Sequence, residues 1–225
     1  FLLLGISPWA FSALPGMSSK HLRLVKDLMN NNLAYSQDAT TTNIIEWEEE
    51  IVDSLRQKKD YRNMFLMRQM AVYAYSLQAK ISEALKKADA MMDEARLMKY
   101  NIGISLSYQA LGDIYLNAGM RPEAVEEYEK AMKTLQATPH AEKIQERIFI
   151  QLGPALIKRK RRDEAKAYFE HMSEICESKC LSPFLLYAYH AYYYLRNNDL
   201  SKAREYIDEA RKINNRTPAQ FYDNI

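Results

Sequence analysis

One spaced motif recurs along this chain and constrains its fold more than any other feature of the sequence. Its clearest copy reads Tyr108-x2-Leu111-Gly112-x2-Tyr115-x8-Ala124-x3-Tyr128-x2-Ala131. The first half places large side chains on one face of a helix, and Gly112 and Ala124 are small where two helices approach closely. Gly119 suits the left-handed conformation that ends a helix, and Pro122 suits the first turn of the next one. The motif therefore predicts two antiparallel helices joined by a tight turn.

Three further copies and one degenerate hairpin accompany this motif. The next copy downstream is Phe149-x2-Leu152-Gly153 followed by Ala165-x3-Phe169-x2-Met172. The last copy comprises Tyr187, Ala191, Tyr194, Ala203, Ile207 and Ala210, and the weakest, upstream, comprises Ala71, Val72, Tyr75, Ala84, Ala88 and Met91. We interpret Lys20 to Arg62 as a degenerate hairpin, with helices at about 20–31 and 42–59 and with Thr42 or Asn43 as an N-cap. Tandem copies predict a stack, because one hairpin cannot bury its apolar face alone.

The motif resembles the tetratricopeptide repeat over about residues 65–217. This resemblance implies an all-α fold, a right-handed superhelix of antiparallel helical hairpins. The glycine-equivalent positions Val72, Gly112, Gly153 and Ala191 are 40, 41 and 38 residues apart, whereas the usual period is ~34. The extra residues are expected in the second helices or in the turns between repeats. Arrays with such long repeats resemble bacterial peptide-pheromone receptors and the sensory regions of some membrane-bound bacterial histidine kinases.

The spacing predicts how the chain is divided. We expect a degenerate hairpin at 17–64, repeats at 65–104, 105–145, 146–183 and 184–217, and the start of a further helix at 218–225. Residues 1–16 begin with the apolar run Phe1 to Ile6 and continue with small residues, which is typical of the end of a secretory signal peptide. An apolar arm that packs on the array is the alternative. Thr217-Pro218 resembles a helix start, so we expect further repeats downstream.

No catalytic, cofactor-binding or metal-binding constellation stands out, so the chain is predicted not to be an enzyme. There is no glycine-rich phosphate loop and no two-histidine metal motif. The histidines lie in four different segments: His21, His140, His171 and His190. We interpret His190 as a core histidine, and Cys176 and Cys180, which share a helix face, as packing residues.

The net charge and the charged runs of the chain also limit which kinds of partner are expected. The net charge of +2 produces no overall field that would attract nucleic acid or an anionic membrane. The run Glu48-Glu49-Glu50 is predicted to form a solvated helix face. The basic run at 158–162 is expected in an exposed turn, where it could contact an acidic partner, but no aromatic residues interleave it for base stacking. Nucleic acid is therefore not expected as a partner, and no segment is predicted to span a membrane.

The family resemblance assigns candidate ligand contacts, because first helices of tetratricopeptide repeats line a concave groove. The candidates are Gln69, Tyr73, Gln109, Asp113, Asn117, Arg147, Lys158, Tyr192 and Arg196. Other groove positions carry Leu66, Leu77, Leu106, Leu116, Ile150, Ile157, Leu185, Ala188 and Leu195. Family members that clamp a C-terminal carboxylate use lysine and asparagine where this chain has Gln69 and Tyr73, or Gln109 and Asp113. This difference argues against chaperone C-terminal tails as ligands, while Tyr192 either faces the groove or packs against a further repeat.

These observations predict a binding or sensory module for a peptide or protein ligand. The signal-like start and the long repeat favour an exported, periplasmic sensor region of a larger signal-transduction protein. The alternative is a cytosolic regulator or scaffold that binds a short peptide or a partner protein. Self-association through the open ends of the array is a further expectation.

Overall fold

The computed structural model describes residues 37–158, 161–179 and 183–214, and it confirms the predicted all-α class. Within these residues the secondary structure consists of nine helices and short turns. The helices are α1 (Gln37–Gln57), α2 (Tyr61–Leu77), α3 (Ile81–Leu97), α4 (Asn101–Asn117), α5 (Arg121–Leu135), α6 (Glu142–Lys158), α7 (Arg162–Lys179), α8 (Pro183–Arg196) and α9 (Leu200–Asn214). The chain forms two compact units, Phe1–Thr138 and Pro139–Ile225, which are described separately below.

Helices of equal length and turns of equal length account for the long repeat in unit 1. The helices α2, α3 and α4 have 17 residues each, and three residues separate each helix from the next between α1 and α5. Two such helices and two such turns make up the 40 residues from the start of α2 to the start of α4. The extra length relative to the usual ~34 residues therefore lies in both helices of the hairpin. The expected longer turns are absent here.

The turns share one hydrogen-bonding pattern. The middle residue of each turn has a left-handed backbone conformation: Lys59 (φ 59°), Ala79 (φ 58°), Lys99 (φ 52°) and Gly119 (φ 79°). After α1, for example, the Asp60 N–H donates to the Leu55 carbonyl at 2.9 Å, and the Lys59 N–H donates to the Arg56 carbonyl at 3.0 Å. This is the Schellman arrangement, which satisfies the last carbonyls of a helix. Gly119 was expected in this conformation, but the sequence carries no glycine at the other three turns.

Two of the predicted boundaries differ from the observed helices. The helix α1 begins at Gln37, so the expected N-cap at Thr42 or Asn43 is wrong, because both residues lie inside the helix. The first helices α2, α4 and α6 begin at residues 61, 101 and 142, so the expected repeat starts at 65, 105 and 146 fall one turn inside them. Tyr100, which precedes α4, forms no side-chain hydrogen bond at the helix N-terminus, so no capping residue marks that start. Asp60 does cap α2, because its carboxylate accepts a hydrogen bond from the Asn63 N–H at 3.3 Å, and this cap was not recognised in the sequence.

The helix contacts predicted by the motif are present in unit 1. The helices α2 and α3 pack as one hairpin, α4 and α5 pack as the next, and α1 packs along α2. A Cβ atom built at Gly112 would lie 2.6 Å from the Tyr128 ring, so the glycine is required for this close approach. The Ser105 hydroxyl donates to the Ala131 carbonyl at 2.9 Å, which ties α4 to α5. Pro122 lies in the first turn of α5, as predicted.

Unit 2 repeats this packing in α6 to α9. The Phe149 and Phe169 rings meet edge to face with centroids 5.0 Å apart, and Ala203 and Ala210 are buried. The expectation for Ile207 is wrong, because its side chain is 40% exposed. Tyr206 packs instead, since its ring stacks on His190 and on Tyr194 of α8. Stacked aromatic rings stabilise each other beyond the area that they bury, which favours Tyr206 at this position.

Candidate functional site

Two adjacent first helices of unit 1 form the best-defined candidate surface. The helices α2 and α4 pack side by side, and the Asn117 side-chain amide donates to the Ser76 hydroxyl at 2.9 Å. Tyr73 of α2 and Asp113 of α4 are half-buried, whereas Leu77 and Asn117 are exposed. We define the α2–α4 face by its accessible residues, which are Tyr73, Leu77, Asp113, Leu116 and Asn117.

A cluster of two phenols and one carboxylate lies at the centre of this face. The Tyr128 hydroxyl, which comes from α5, donates to the Asp113 carboxylate at 2.7 Å. Burial raises the pKa of Tyr128 strongly, and the charge of Asp113 and this hydrogen bond raise it further. Burial also raises the pKa of Tyr73, with a second contribution from the charge of Asp113. Both tyrosines therefore stay protonated near neutral pH.

The structure places three of the predicted groove residues beneath the surface rather than on it. Gln69 and Gln109 are 3% and 1% exposed, because they lie at equivalent positions of α2 and α4, which pack against each other. The Gln109 amide oxygen accepts no hydrogen bond from the described residues. Arg147 of α6 is also buried, and the Lys158 side chain lies outside the described residues. The hydrophobic groove positions Leu66 and Leu106 are likewise core residues.

In unit 2 the predicted contacts that are accessible among the described residues lie on α8. Tyr192 is half-buried and Arg196 is exposed one turn later on the same helix, next to exposed Leu195. The side chains of Ile150, Ile157 and Leu185, like both cysteines, lie outside the described residues. The structure therefore brings Tyr73, Asp113 and Asn117 together in unit 1 and places the α8 pair in unit 2.

A buried ionic network across α1, α2 and α3 was missed by the sequence analysis. Glu48 is 1% exposed, so the predicted solvated face at Glu48-Glu49-Glu50 is wrong at its first residue. The Lys87 ammonium lies 2.5 Å from the Glu48 carboxylate and 2.9 Å from that of Glu49. Arg68 contacts Glu48 at 3.3 Å and Glu94 at 2.8 Å. These partners are 20 and 39 residues from Glu48, so no local pattern indicates the network.

The pKa values of two glutamates in this network are shifted by their surroundings. Burial raises the pKa of Glu48, although Lys87 and Arg68 oppose that shift. A hydrogen bond from Lys87 lowers the pKa of the more exposed Glu49. A buried carboxylate with two cations stays bound to them because an unpaired buried charge is costly. The network therefore holds α1 on the hairpin of α2 and α3.

A stack of rings surrounds His190 in unit 2, which confirms that it is a core residue. Its imidazole lies parallel to the Tyr206 ring at 4.6 Å, and the Tyr206 ring stacks on Tyr194 at 5.4 Å. The His190 Nε2 atom lies 2.9 Å from the Ser173 hydroxyl. Burial lowers the pKa of His190 to about 4, so the ring is neutral near pH 7. Lys202 lies over the outer Tyr194 ring at 5.1 Å, a cation–π contact.

In residues 37–158, 161–179 and 183–214, no three histidine, cysteine or acidic side chains are grouped so that they could hold a metal ion. None of the helices in this part of the chain combines the length and the apolar character needed to cross a bilayer.

Comparison with known proteins supports a helical repeat architecture. A family model described as tetratricopeptide repeat matches residues 106–134, which extend from α4 to the last turn of α5. A search of curated proteins found no match. The chain is similar to the crystal structure of BtubC (BKLC) from P. vanneervenii, with a TM-score of 0.59 and 12% identity, over 93% of this chain and 96% of that chain. At this identity the likeness concerns the fold alone.

The fold and these matches define the class of the protein. It is an all-helical repeat protein whose consecutive helices pack as tetratricopeptide-like hairpins. The hairpin of α4 and α5 matches the tetratricopeptide repeat itself, and this hairpin also carries Asp113 and Asn117 of the α2–α4 face. Repeats of this type generally bind other proteins through extended surfaces formed by neighbouring units.

Proposed function

We propose that this chain is a non-catalytic module that binds a peptide or a protein partner on the α2–α4 face. One observation carries the proposal: two adjacent first helices place a phenol, a carboxylate and an amide, those of Tyr73, Asp113 and Asn117, beside exposed Leu77. A few fixed polar groups among apolar side chains suit an extended peptide or an amphipathic helix. Protein binding is also the general role of the repeat type that matches α4 and α5.

Local contacts hold this face in one arrangement before a partner binds. Tyr128 orients Asp113 through its hydroxyl hydrogen bond, and Ser76 orients Asn117. The Tyr128 ring is itself wedged against Gly112. Side chains that are already ordered lose less conformational entropy on binding. The face is therefore a preorganised surface, which favours specific over non-specific contacts.

A display selection tests the proposal. A random nonapeptide display library is selected on the whole protein, and the enriched peptides are measured against two double variants. Tyr73→Ala with Leu116→Ser alters the α2–α4 face, whereas Lys86→Ala with Asp93→Ala alters exposed positions of α3 and serves as the control. We expect the first variant to lose most of the binding and the control to retain it. Failure to enrich any peptide, or equal binding to both variants, would contradict the proposal.

The finer proposal is that this module is the exported sensory region of a larger signal-transduction protein. Its support is the long repeat and the signal-like composition of residues 1–16, which lie outside the described residues. Fusion of the N-terminal part of the full-length protein to an export reporter is the test. Reporter activity outside the cytoplasm is the expected result, and cytoplasmic retention would favour the alternative of a cytosolic regulator or scaffold.

A further inference from the structure

The helices of unit 1 end at two opposite edges, because each helix packs antiparallel to the one before it. The turns at 58–60 and 98–100 lie on the first edge together with the end of α5, and the turns at 78–80 and 118–120 lie on the second. The helices α2, α3 and α4 have 17 residues each, so the turns of one edge lie at about the same level. Each edge is therefore a row of turns and not a groove.

Side-chain contacts show that the turns of the first edge are neighbours. The Tyr61 and Tyr100 rings meet edge to face with centroids 6.4 Å apart, which joins the start of α2 to the residue before α4. The Arg56 guanidinium lies 2.8 Å from the Glu94 carboxylate, which joins the last turns of α1 and α3. The turns at 58–60 and 98–100 therefore present one continuous surface.

Exposed cations are concentrated on this first edge. Lys59, Arg96 and Lys99 are exposed, and Lys59 and Lys99 occupy the left-handed middle positions of the two turns. Attraction to the helix dipole would favour cations at every helix C-terminus. Cations occur in the last turns of α1, α3 and α5, which end at this edge, whereas the last turns of α2 and α4, which end at the second edge, contain none. The dipole therefore does not account for the difference between the edges.

An apolar side chain lies among these cations. At 86% exposure Leu97 is the most exposed large hydrophobic side chain in the part of the chain that the structure describes. We define the basic edge by Lys59, Arg96, Leu97 and Lys99. A peptide ligand is held in a groove or on a strand edge with pockets for its side chains. An anionic bilayer requires only cations at one level and an apolar side chain that reaches the acyl boundary, so the basic edge suits a lipid surface better than an acidic peptide.

We propose that the basic edge docks on an anionic lipid surface, where its three cations contact phosphate groups and Leu97 enters the boundary with the acyl chains. Tyr61 and Tyr100 are half-buried at the same edge, and tyrosine suits a membrane interface because one end of its side chain is apolar and the other is polar. The net charge of +2 conceals this patch, because it sums the whole chain. The α2–α4 face includes Leu77 and Asn117, the last residues of α2 and α4, so it lies towards the second edge and is a separate surface.

Co-sedimentation of the whole protein with lipid vesicles tests the proposal. One set of vesicles contains equal parts of phosphatidylcholine and phosphatidylglycerol, and the other contains phosphatidylcholine alone. The first variant removes the three cations of the basic edge: Lys59→Gln, Arg96→Gln and Lys99→Gln. Its control removes the same number of exposed cations elsewhere in unit 1, so that the net charges are equal: Lys80→Gln, Lys86→Gln and Arg121→Gln. Leu97→Ser is compared with Met120→Ser, which alters a side chain that is 43% exposed at the second edge, and circular dichroism checks that all variants are folded.

The protein should sediment with the anionic vesicles and much less with phosphatidylcholine alone. Loss of the three cations should lower the partition coefficient roughly a hundredfold, because each cation contributes about fivefold near such a surface. Leu97→Ser should lower it roughly tenfold, added salt should weaken binding, and both controls should bind nearly as the wild type does. Equal binding to the two kinds of vesicle, equal losses for the cation variant and its control, or binding of polyglutamate but not of vesicles would overturn the proposal. Such a failure would leave the α2–α4 face untouched, because the display selection probes the other surface.

Discussion

Substitution of Gly112 by alanine should destabilise the protein, although alanine is the better helix former. The new Cβ would lie 2.6 Å from Tyr128 Cε1 and 2.8 Å from Cδ1, whereas carbon atoms pack at about 3.5–4.0 Å. The ring must move by roughly 1 Å, but Tyr128 is 1% exposed and bonded to Asp113. Overpacking costs ~1–3 kcal/mol and a strained hydrogen bond ~1 kcal/mol, whereas helix propensity returns about 1 kcal/mol. The expected net loss is about 1–3 kcal/mol.

The free energy of unfolding is measured by urea titration at neutral pH, with circular dichroism as the signal. Gly153→Ala is the comparison, because its Cβ would meet the Phe149 ring at 3.1 Å and the Phe169 ring at 3.5 Å. These rings need to yield less than the Tyr128 ring does, so we expect a smaller loss than for Gly112→Ala. Gly112→Ala should also become neutral or stabilising when Tyr128→Leu removes the ring. If Gly112→Ala raised the stability by the full ~1 kcal/mol of helix propensity, the close approach of α4 and α5 would be refuted.

Three further predictions concern the ionic network, the ring stack and the turns. Glu48→Ala should lower the free energy of unfolding by about 3 kcal/mol, because it leaves Lys87 and Arg68 without their buried carboxylate. The control Glu50→Ala, at an exposed position, should change it by less than about 0.5 kcal/mol. Equal losses for the two variants in urea titrations would contradict the network. His190 has a pKa of about 4 in the folded protein and of about 6.5 in the unfolded chain. Its contribution to the free energy of unfolding is therefore complete above pH 6.5 and is lost as the pH falls towards 4. Between pH 7 and pH 5 this loss amounts to ~2 kcal/mol, and a His190→Phe variant that weakens as steeply as the wild type would disprove the assignment. Lys99→Gly should raise the stability by about 1 kcal/mol, since φ is 52° at this position and glycine adopts such angles without strain. Gly119→Ala should lower the stability by a similar amount. A melting temperature that Lys99→Gly leaves unchanged would argue against the left-handed turn.

Part of the candidate site could be predicted from the sequence. Tyr73, Asp113 and Asn117 were assigned to the binding surface by their positions in the motif, and the structure places them together on the α2–α4 face. Gln69 and Gln109 were assigned by the same rule, but they are buried. The rule describes which side of one helix a residue occupies. How far the neighbouring first helix covers that side depends on packing between helices 40 residues apart, which the motif does not contain.

The network around Glu48 shows a second limit. A run of three glutamates predicts a solvated face, and that prediction agrees with exposed Glu49 and Glu50. Glu48 differs because Arg68 and Lys87 approach it from two other helices. Their sequence positions carry no mark of this partnership. Only the packing of α1 against α2 and α3 creates it.

The sequence by itself determined the helical hairpins of this protein and the close approach of α4 and α5 at Gly112. Helical periodicity, the small residues Gly112 and Ala124, and the turn residues Gly119 and Pro122 are local signals, and each acts within a few residues of its position. The tertiary structure alone decided the left-handed turns at non-glycine residues such as Lys99, the burial of Glu48, and the choice of Tyr206 over Ile207 against α8. These outcomes depend on side chains from other helices, because burial and pairing are properties of neighbours in space.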